Sequence, residues 1–389
     1  MTERKLCIAV IGIGGAVGTT MVAGIELIKK EKVTEIGLPL SHVKEKFIDY
    51  RNISFCGWDL LDYDLEQAAR LHKVLTSEQI EEVKKELGSI KPFQAIADSN
   101  FLSNFSGQNT FNASSHMEKI EKIRADIRLM KQKGDSLVVL NLASTEKLVE
   151  TEDEVFSSLS NFEKALSENS KKISPAMLYA YAAISERVPY ANFTPSVAVD
   201  IPAMIEFAEK MQVPIAGKDG KTGQTFIKTV IAPALKARAL KVIGWYSTNL
   251  LGNRDGLVLS NQDSLASKVK TKSSVLEDIL GYEVEDHIVD IKYYPPRGDN
   301  KEAWDNIDFL GFLEQPMQIK INFLCRDSIL AAPLAIEIAR CLEFAERNGE
   351  KGIQEQLSVF FKSPMTKQTK PEQSFHKQVE MLEKWVFRS

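Results

Sequence analysis

AVIGIGGAVGTTM, residues 9–21, runs from an apolar strand through a cluster of glycines into the start of a helix. The strand is placed at about Leu6–Ile11 and the helix from about Ala16 to Lys30. The glycines of Gly12-Ile13-Gly14-Gly15-Ala16-Val17-Gly18 let the backbone turn tightly and approach a pyrophosphate, whose charge then meets the positive end of the helix. The alternative is a strand–helix turn with a structural role only. The acidic residue that such a loop normally has about 20 positions further on does not end a clear second strand. Asp59, in CGWDL, lies later but follows an apolar strand; it is the candidate for an adenosine ribose, with helix capping as the alternative. If the loop holds a dinucleotide, the question is which residues do the chemistry. The chain has five histidines, and none sits in an evident catalytic setting.

Outward from the loop, a polar stretch (31–52) precedes the strand that ends in CGWDL. A charged helical region (64–87), a strand near Phe93–Ala97, a helix (114–133) and the buried strand of DSLVVLNLAS follow. Strands alternating with helices predict a parallel α/β sheet. From about residue 225 the pattern changes. TFIKTVIAPALKARAL reads as a helix, whereas KVIGWYSTN, HIVDIKYY and QPMQIKINFLC alternate apolar and polar side chains, as strands with one buried face do. An antiparallel sheet of this kind needs a cover; with few helices nearby, a second copy of the sheet would supply it, which predicts an oligomer. After Asp327 the chain turns helical again. At 389 residues the chain exceeds the usual size of a single core.

A net charge of −4 gives no electrostatic reason to expect nucleic acid or an anionic membrane as partner. No apolar run approaches bilayer-spanning length, and MTERKLCIAVIG lacks a signal peptide's pattern, so the cytoplasm is the expected address. Cys7, Cys56, Cys325 and Cys341 show no paired short spacing and read as buried, reduced thiols.

The densest polar clusters lie beyond the glycine loop. GKDGKTGQTF (217–226) places Thr222, Gly223, Gln224 and Thr225 at a helix start beside Lys218 and Lys221, either a phosphate site or a solvated turn with a threonine cap. STNLLGNRDG (247–256) reads first as turn chemistry. SKVKTKSSVLEDILG (267–281) sets three lysines ahead of a helix capped by Ser273, and PPRGDNKEAW (295–304) sets Lys301 in the first turn of another, capped by Asp299. Lysine is the wrong charge for a helix N-terminus. Such a side chain is either exposed, or held near an anion with a lowered pKa. FLCRDSILAAP (323–333) ends a strand at Asp327, ahead of a helix, where capping is its simplest role.

Taken together, GIGGAVGTT, GWD, TGQT, NLLGNRDG, KTKSSVLEDI, IKYYPPRGDNK and LCRDSILAAP occur in the order seen in the inositol-1-phosphate synthase family, which the chain resembles from about residue 8 to 345, with a weaker echo in HKQVEMLEKW (376–385). The resemblance implies an α/β fold: a Rossmann-type, doubly wound parallel sheet from residues 1–224 and 331–389, with an inserted α+β domain, 225–330, for catalysis and tetramerisation. It implies NAD on Gly12, Ile13, Gly14, Gly15, Ala16 and Val17, with Asp59 at the ribose and Ser144, Thr145, Asn253, Asp255 and Asp327 beside the cofactor. Thr222, Gly223, Gln224, Thr225 and Leu259 would hold the substrate, glucose 6-phosphate. Lys268, Lys272, Lys301 and Lys377 would be active-site lysines with Asp219 as acidic partner. The reaction implied is conversion of D-glucose 6-phosphate to 1D-myo-inositol 3-phosphate by oxidation at C5, enolisation, aldol closure and reduction. An NAD-dependent phosphosugar dehydrogenase with net turnover is the alternative. Arg254 stands where many members have asparagine, Arg326 replaces the usual acidic neighbour of Asp327, and Ala16-Val17 replaces asparagines of larger members. A monovalent or divalent cation is left open.

Overall fold

A computed structural model describes residues 4–102, 107–252 and 275–388. Seven strands form one sheet: β1 (Leu6–Ile11), β2 (Ile53–Asp59), β3 (Phe93–Gln94), β4 (Ser136–Asn141), β5 (Tyr190–Asn192), β6 (Pro214–Gly217) and, from the far end of the chain, β11 (Gly352–Ile353). Their order is β3-β2-β1-β4-β5-β6-β11, and every pair is parallel. β1 is an unbroken apolar run because both of its faces are covered. Leu6, Ile8 and Val10 enter one core while Cys7, Ala9 and Ile11 enter the other. Chain order reverses at β1, between β2 and β4, and it is outside the carboxyl ends of the strands at such a switch point that doubly wound sheets bind ligands.

The 31–52 stretch explains why Asp59 is so far from the glycines. After the helix Ala16–Lys29 the chain makes two short 3-10 turns, Ser41–Lys46 and Tyr50–Asn52, before β2 begins. They are pinned to the helix Asp327–Arg347, where the buried Glu337 accepts from Leu40 N at 3.2 Å and Tyr50 OH at 2.5 Å and pairs with Arg340 at 2.6 Å. The detour lengthens the sequence between helix and strand without moving Asp59 from the end of β2.

The second sheet contains β7 (Lys241–Leu251), β8 (Asp286–Tyr293), β9 (Asn300–Leu310) and β10 (Pro316–Arg326), in the order β10-β9-β7-β8. It departs from the sequence reading in three ways. It is mixed, because β8 runs parallel to β7 while β9 is antiparallel to both neighbours. Residues 300–310 form a strand, so Lys301 lies on β9 and in no helix. The period of two along β9 is masked in the sequence because Asp305 takes a core position between Ala303 and Ile307. Finally, one face finds its cover within the chain: the helix Gln224–Ala237 and helical residues 275–280 pack Ala232, Leu235, Leu276 and Ile279 against Trp245, Ile307 and Phe309. The opposite face presents Tyr246 beside Ile288, and Trp304 beside Thr248, with Tyr246, Ile288, Trp304 and Leu324 all exposed.

All four cysteines are buried and unbridged, although β1 and β2 bring the Cys7 and Cys56 sulfurs to 3.3 Å. Among the described residues no helix is long and apolar enough to cross a membrane, and no group of three or more His, Cys, Asp or Glu forms a candidate metal site.

Candidate active site

A cleft of about 730 Å³ opens at the carboxyl ends of β1, β2 and β4. Its floor is the glycine loop. Gly12 has a φ of +83°, and a Cβ there would press on the Ala143 backbone at 3.0 Å. A Cβ on Gly14 would lie 3.0 Å from Asp59 Oδ2, and one on Gly18 would lie 2.4 Å from the Ile13 carbonyl oxygen. The backbone therefore occupies the space that side chains would take elsewhere. The helix that follows starts at a glycine N-cap, with no side-chain capping bond and no acidic residue in its first turn, which leaves its N–H groups and positive dipole for an anion.

Asp59 ends β2 against this loop, accepting from Gly14 N at 2.9 Å and from Leu61 N at 3.1 Å. It does not cap the next helix, Leu65–His72, which Asp64 caps in a reciprocal box with Gln67. Burial raises the Asp59 carboxyl above its usual pKa, offset in part by those two N–H bonds. His72, at that helix's end, hydrogen bonds the Gly14 carbonyl through Nε2 at 2.8 Å. Cradle, free helix end and terminal carboxylate together fit a dinucleotide.

A smaller cavity of about 120 Å³ adjoins the cleft, and Val17, Leu142, Ala143 and Asp327 border both. It is built from side chains. The helix Gln224–Ala237 points its N-terminus here, again with a glycine N-cap, no capping side chain and no acid in the first turn. The Lys301 ammonium lies 3.5 Å from where a Gly223 Cβ would sit and 3.4 Å from Asp327 Oδ1, which also accepts from Thr222 Oγ1 at 2.9 Å. Lys362 pairs with Asp219 at 2.7 Å. Burial alone would lower Lys301, but Asp327, with Cys325 and Asp219 beyond it, outweighs burial and holds the ammonium above its usual pKa. Lys301 is thus a fixed cation beside a carboxylate, neither of the two alternatives for a helix start, an exposed lysine or one of lowered pKa. The Thr225 hydroxyl, deep in the same wall, has no hydrogen-bond partner among the described residues.

Behind this wall a buried polar network ties the helix to the second sheet. Asp305 accepts from Trp245 Nε1 and Ser247 Oγ, both at 2.7 Å, and from the Gln224 amide at 3.2 Å. One turn on, Lys228 donates to His287 Nε2 at 2.6 Å. Burial lowers Lys228 to about 7, and burial with the neighbouring Lys228 lowers His287 to about 3. Burial likewise lowers Lys221 to about 7 where it meets Gln378.

The structure brings together Gly12, Gly14, Gly15, Ala16, Val17, Asp59, Ser144 and Asp327 around the cleft, and Thr145, Asp219, Thr222, Gln224, Thr225, Lys301 and Asp327 around the chamber. Ile13 is buried under the loop, packed in the core. Asn253, Asp255, Leu259, Lys268 and Lys272 lie outside the described residues. Lys377 is a correction: it stands on the outer side of the helix Phe375–Val386, its side chain 68% exposed and paired with Glu372, while Gln378, Leu382 and Trp385 turn inward. The lysine that reaches the chamber from this part of the chain is Lys362, at the end of the apolar run SVFFK, a position that sequence reasoning passed over, as it did His72.

A dinucleotide cleft opening onto an anion chamber walled by ammonium groups defines an NAD-dependent enzyme of a phosphorylated substrate. The comparisons give the family. Residues 32–387 match the family model described as myo-inositol-1-phosphate synthase, and the chain belongs to that family. It is 44% identical to inositol-3-phosphate synthase 1 of Bacteroides thetaiotaomicron over 93% of this chain and 90% of that protein, and 30% identical to the inositol-3-phosphate synthase of Saccharomyces cerevisiae over 90% of this chain and 75% of that one. The crystal structure of the Caenorhabditis elegans inositol-3-phosphate synthase superposes with a TM-score of 0.91 at 27% identity, covering 99% of this chain and 86% of that one. A myo-inositol-1-phosphate synthase-related protein of Thermotoga maritima, 23% identical with a TM-score of 0.82 over 98% of both chains, shares the fold.

Proposed function

We propose that the protein is an inositol-3-phosphate synthase, converting D-glucose 6-phosphate to 1D-myo-inositol 3-phosphate with no net redox change. The observation that supports this reading is the meeting of cleft and chamber at Asp327: a dinucleotide held in the cleft would have its hydride acceptor and the lysines of the chamber within reach of one small molecule. Bound in the cleft, NAD supplies the oxidation at C5 and the closing reduction. The positive end of the helix Gln224–Ala237, which begins at the glycine N-cap Gly223, holds the phosphate together with the Thr225 hydroxyl. Oxidation at C5 acidifies the C6 protons; the enolate carbon then attacks the C1 aldehyde, so that negative charge forms on oxygen at C5 and next at C1. Lys301, held charged by Asp327, stabilises that charge without reorganising, and Lys362, oriented by Asp219, serves the second oxygen. Lys268 is assigned to proton transfer at C5 and Lys272 to the phosphate. Residues 225–330 act as the inserted catalytic and oligomerising unit. The exposed Tyr246, Ile288, Trp304 and Leu324 support a homotetramer in which copies cover one another's second sheets. The compartment we assign is the cytoplasm, and a monovalent or divalent cation remains part of the proposal.

The test is phosphorus NMR of the protein with glucose 6-phosphate and NAD, beside absorbance of reduced cofactor. Inositol phosphate without accumulating NADH is expected; NADH formed one-for-one with product would identify a dehydrogenase with net turnover and overturn the assignment.

A further inference from the structure

The cleft has two walls from different sheets. One is the segment after β2, through the helix Leu65–His72 and residue 73; the other is the rim of the second sheet, Arg297–Asn300 and Arg326–Ser328. Arg326 ends β10, paired in register with Asn300, and its guanidinium reaches across to donate a hydrogen bond to the Val74 carbonyl, just past His72. His72 in turn grips the Gly14 carbonyl of the glycine loop. A continuous chain of contacts thus runs from the second sheet, through residues 72–74, to the loop that would carry the pyrophosphate.

We propose that Arg326 is a positioning residue that clasps the cleft and retains the cofactor between the two redox steps. The reaction makes this retention necessary, because the electron pair removed from C5 must return to the same substrate, and a reduced cofactor lost midway leaves an unreduced ketone. Separating the two walls, as cofactor exchange requires, breaks the Arg326–Val74 bond, so that bond slows exit. Arg suits this place better than Lys: its planar fork loses less freedom per hydrogen bond formed and is less strongly hydrated. The inference rests on the placement of NAD in this cleft.

Stopped-flow release of NADH from the full chain, read by its fluorescence, tests it on wild type, Arg326→Gln and Arg326→Lys, together with the NADH captured by an external trapping reaction per product formed. A charge-assisted hydrogen bond lost from the closed state corresponds to about tenfold faster release. Arg326→Gln should show that rise with a matching rise in trapped NADH per product, and Arg326→Lys should fall between it and wild type, all at the wild-type melting temperature. Lost turnover with a lowered melting temperature and no rise in the trapped fraction would mean that Arg326 only stabilises the fold, and would overturn the clasp. Wild-type release and trapping in Arg326→Gln would overturn the clasp alone. NADH binding that survives Gly14→Val would overturn the placement of the cofactor, and the clasp with it.

Discussion

The cleft and the chamber hold charge of the same sign by different means. In the cleft the work falls to backbone: glycines that leave room, a helix end without a cap, and one carboxylate, Asp59, fixing the loop through Gly14 N. In the chamber a second uncapped helix end, at Gly223, is joined by side chains drawn from separate elements, with Lys301 on β9, Lys362 past β11, Asp219 after β6 and Asp327 opening a helix. A binding site for a carrier that is returned unchanged needs shape and a fixed dipole. A site where charge moves from one oxygen to another needs cations held at several points, and only long side chains from different directions supply that.

The largest effect on cofactor binding should fall on the backbone-built half. In Gly14→Val the added carbon meets Asp59 Oδ2 at 3.0 Å and the loop must shift, so NAD affinity should drop on the order of a hundredfold. Titration calorimetry checks this, and unchanged affinity would mean that the loop is structural only. Next comes a pair of lysines that share a region of sequence and differ in placement. Lys362→Ala strips Asp219 of its partner and removes a cation from the chamber, with an expected loss of about tenfold to a hundredfold in turnover. Lys377→Ala removes a solvent-screened pair and should stay within about twofold of wild type. Equal losses would erase the boundary drawn here around the chamber.

The smallest effect is a pH dependence of stability. Lys228 is lowered to about 7 by burial. Between that value and the ordinary lysine range the unfolded chain holds a proton that the folded chain does not, so stability rises with pH across this window. Lys228→Met should flatten that slope. The variant's melting temperature relative to wild type should therefore be higher near pH 7 than near pH 10 by a few degrees, at roughly 1 °C per kcal/mol for a chain of 389 residues. A pH-independent difference would show that Lys228 stays charged in the fold.

The same contrast explains what could be read from sequence. The glycine loop, β1 and the helix Ala16–Lys29 were legible because strand, turn and helix signals are contiguous there. Asp59 was found by its place after an apolar strand, although the detour at 31–52 broke the usual spacing. The chamber was legible only through resemblance, because nothing local links Lys301 to Lys362 or Asp219. Lys301 reads as a helix start but lies on a strand, since Asp305, a carboxylate satisfied by Trp245, Ser247 and Gln224, hides the alternation of β9. The motif around Lys377 does not say which side of an amphipathic helix that lysine takes, and the structure puts it on the outer side.

The most direct test of the division between cleft and chamber is a single variant measured both ways. Lys301→Ala should reduce turnover of glucose 6-phosphate by about a hundredfold or more, because a fixed cation is lost where charge develops. The same protein should bind NAD within about twofold of wild type, because Lys301 borders the chamber and not the glycine loop. Near-normal turnover, or NAD affinity that falls in step with turnover, would contradict it.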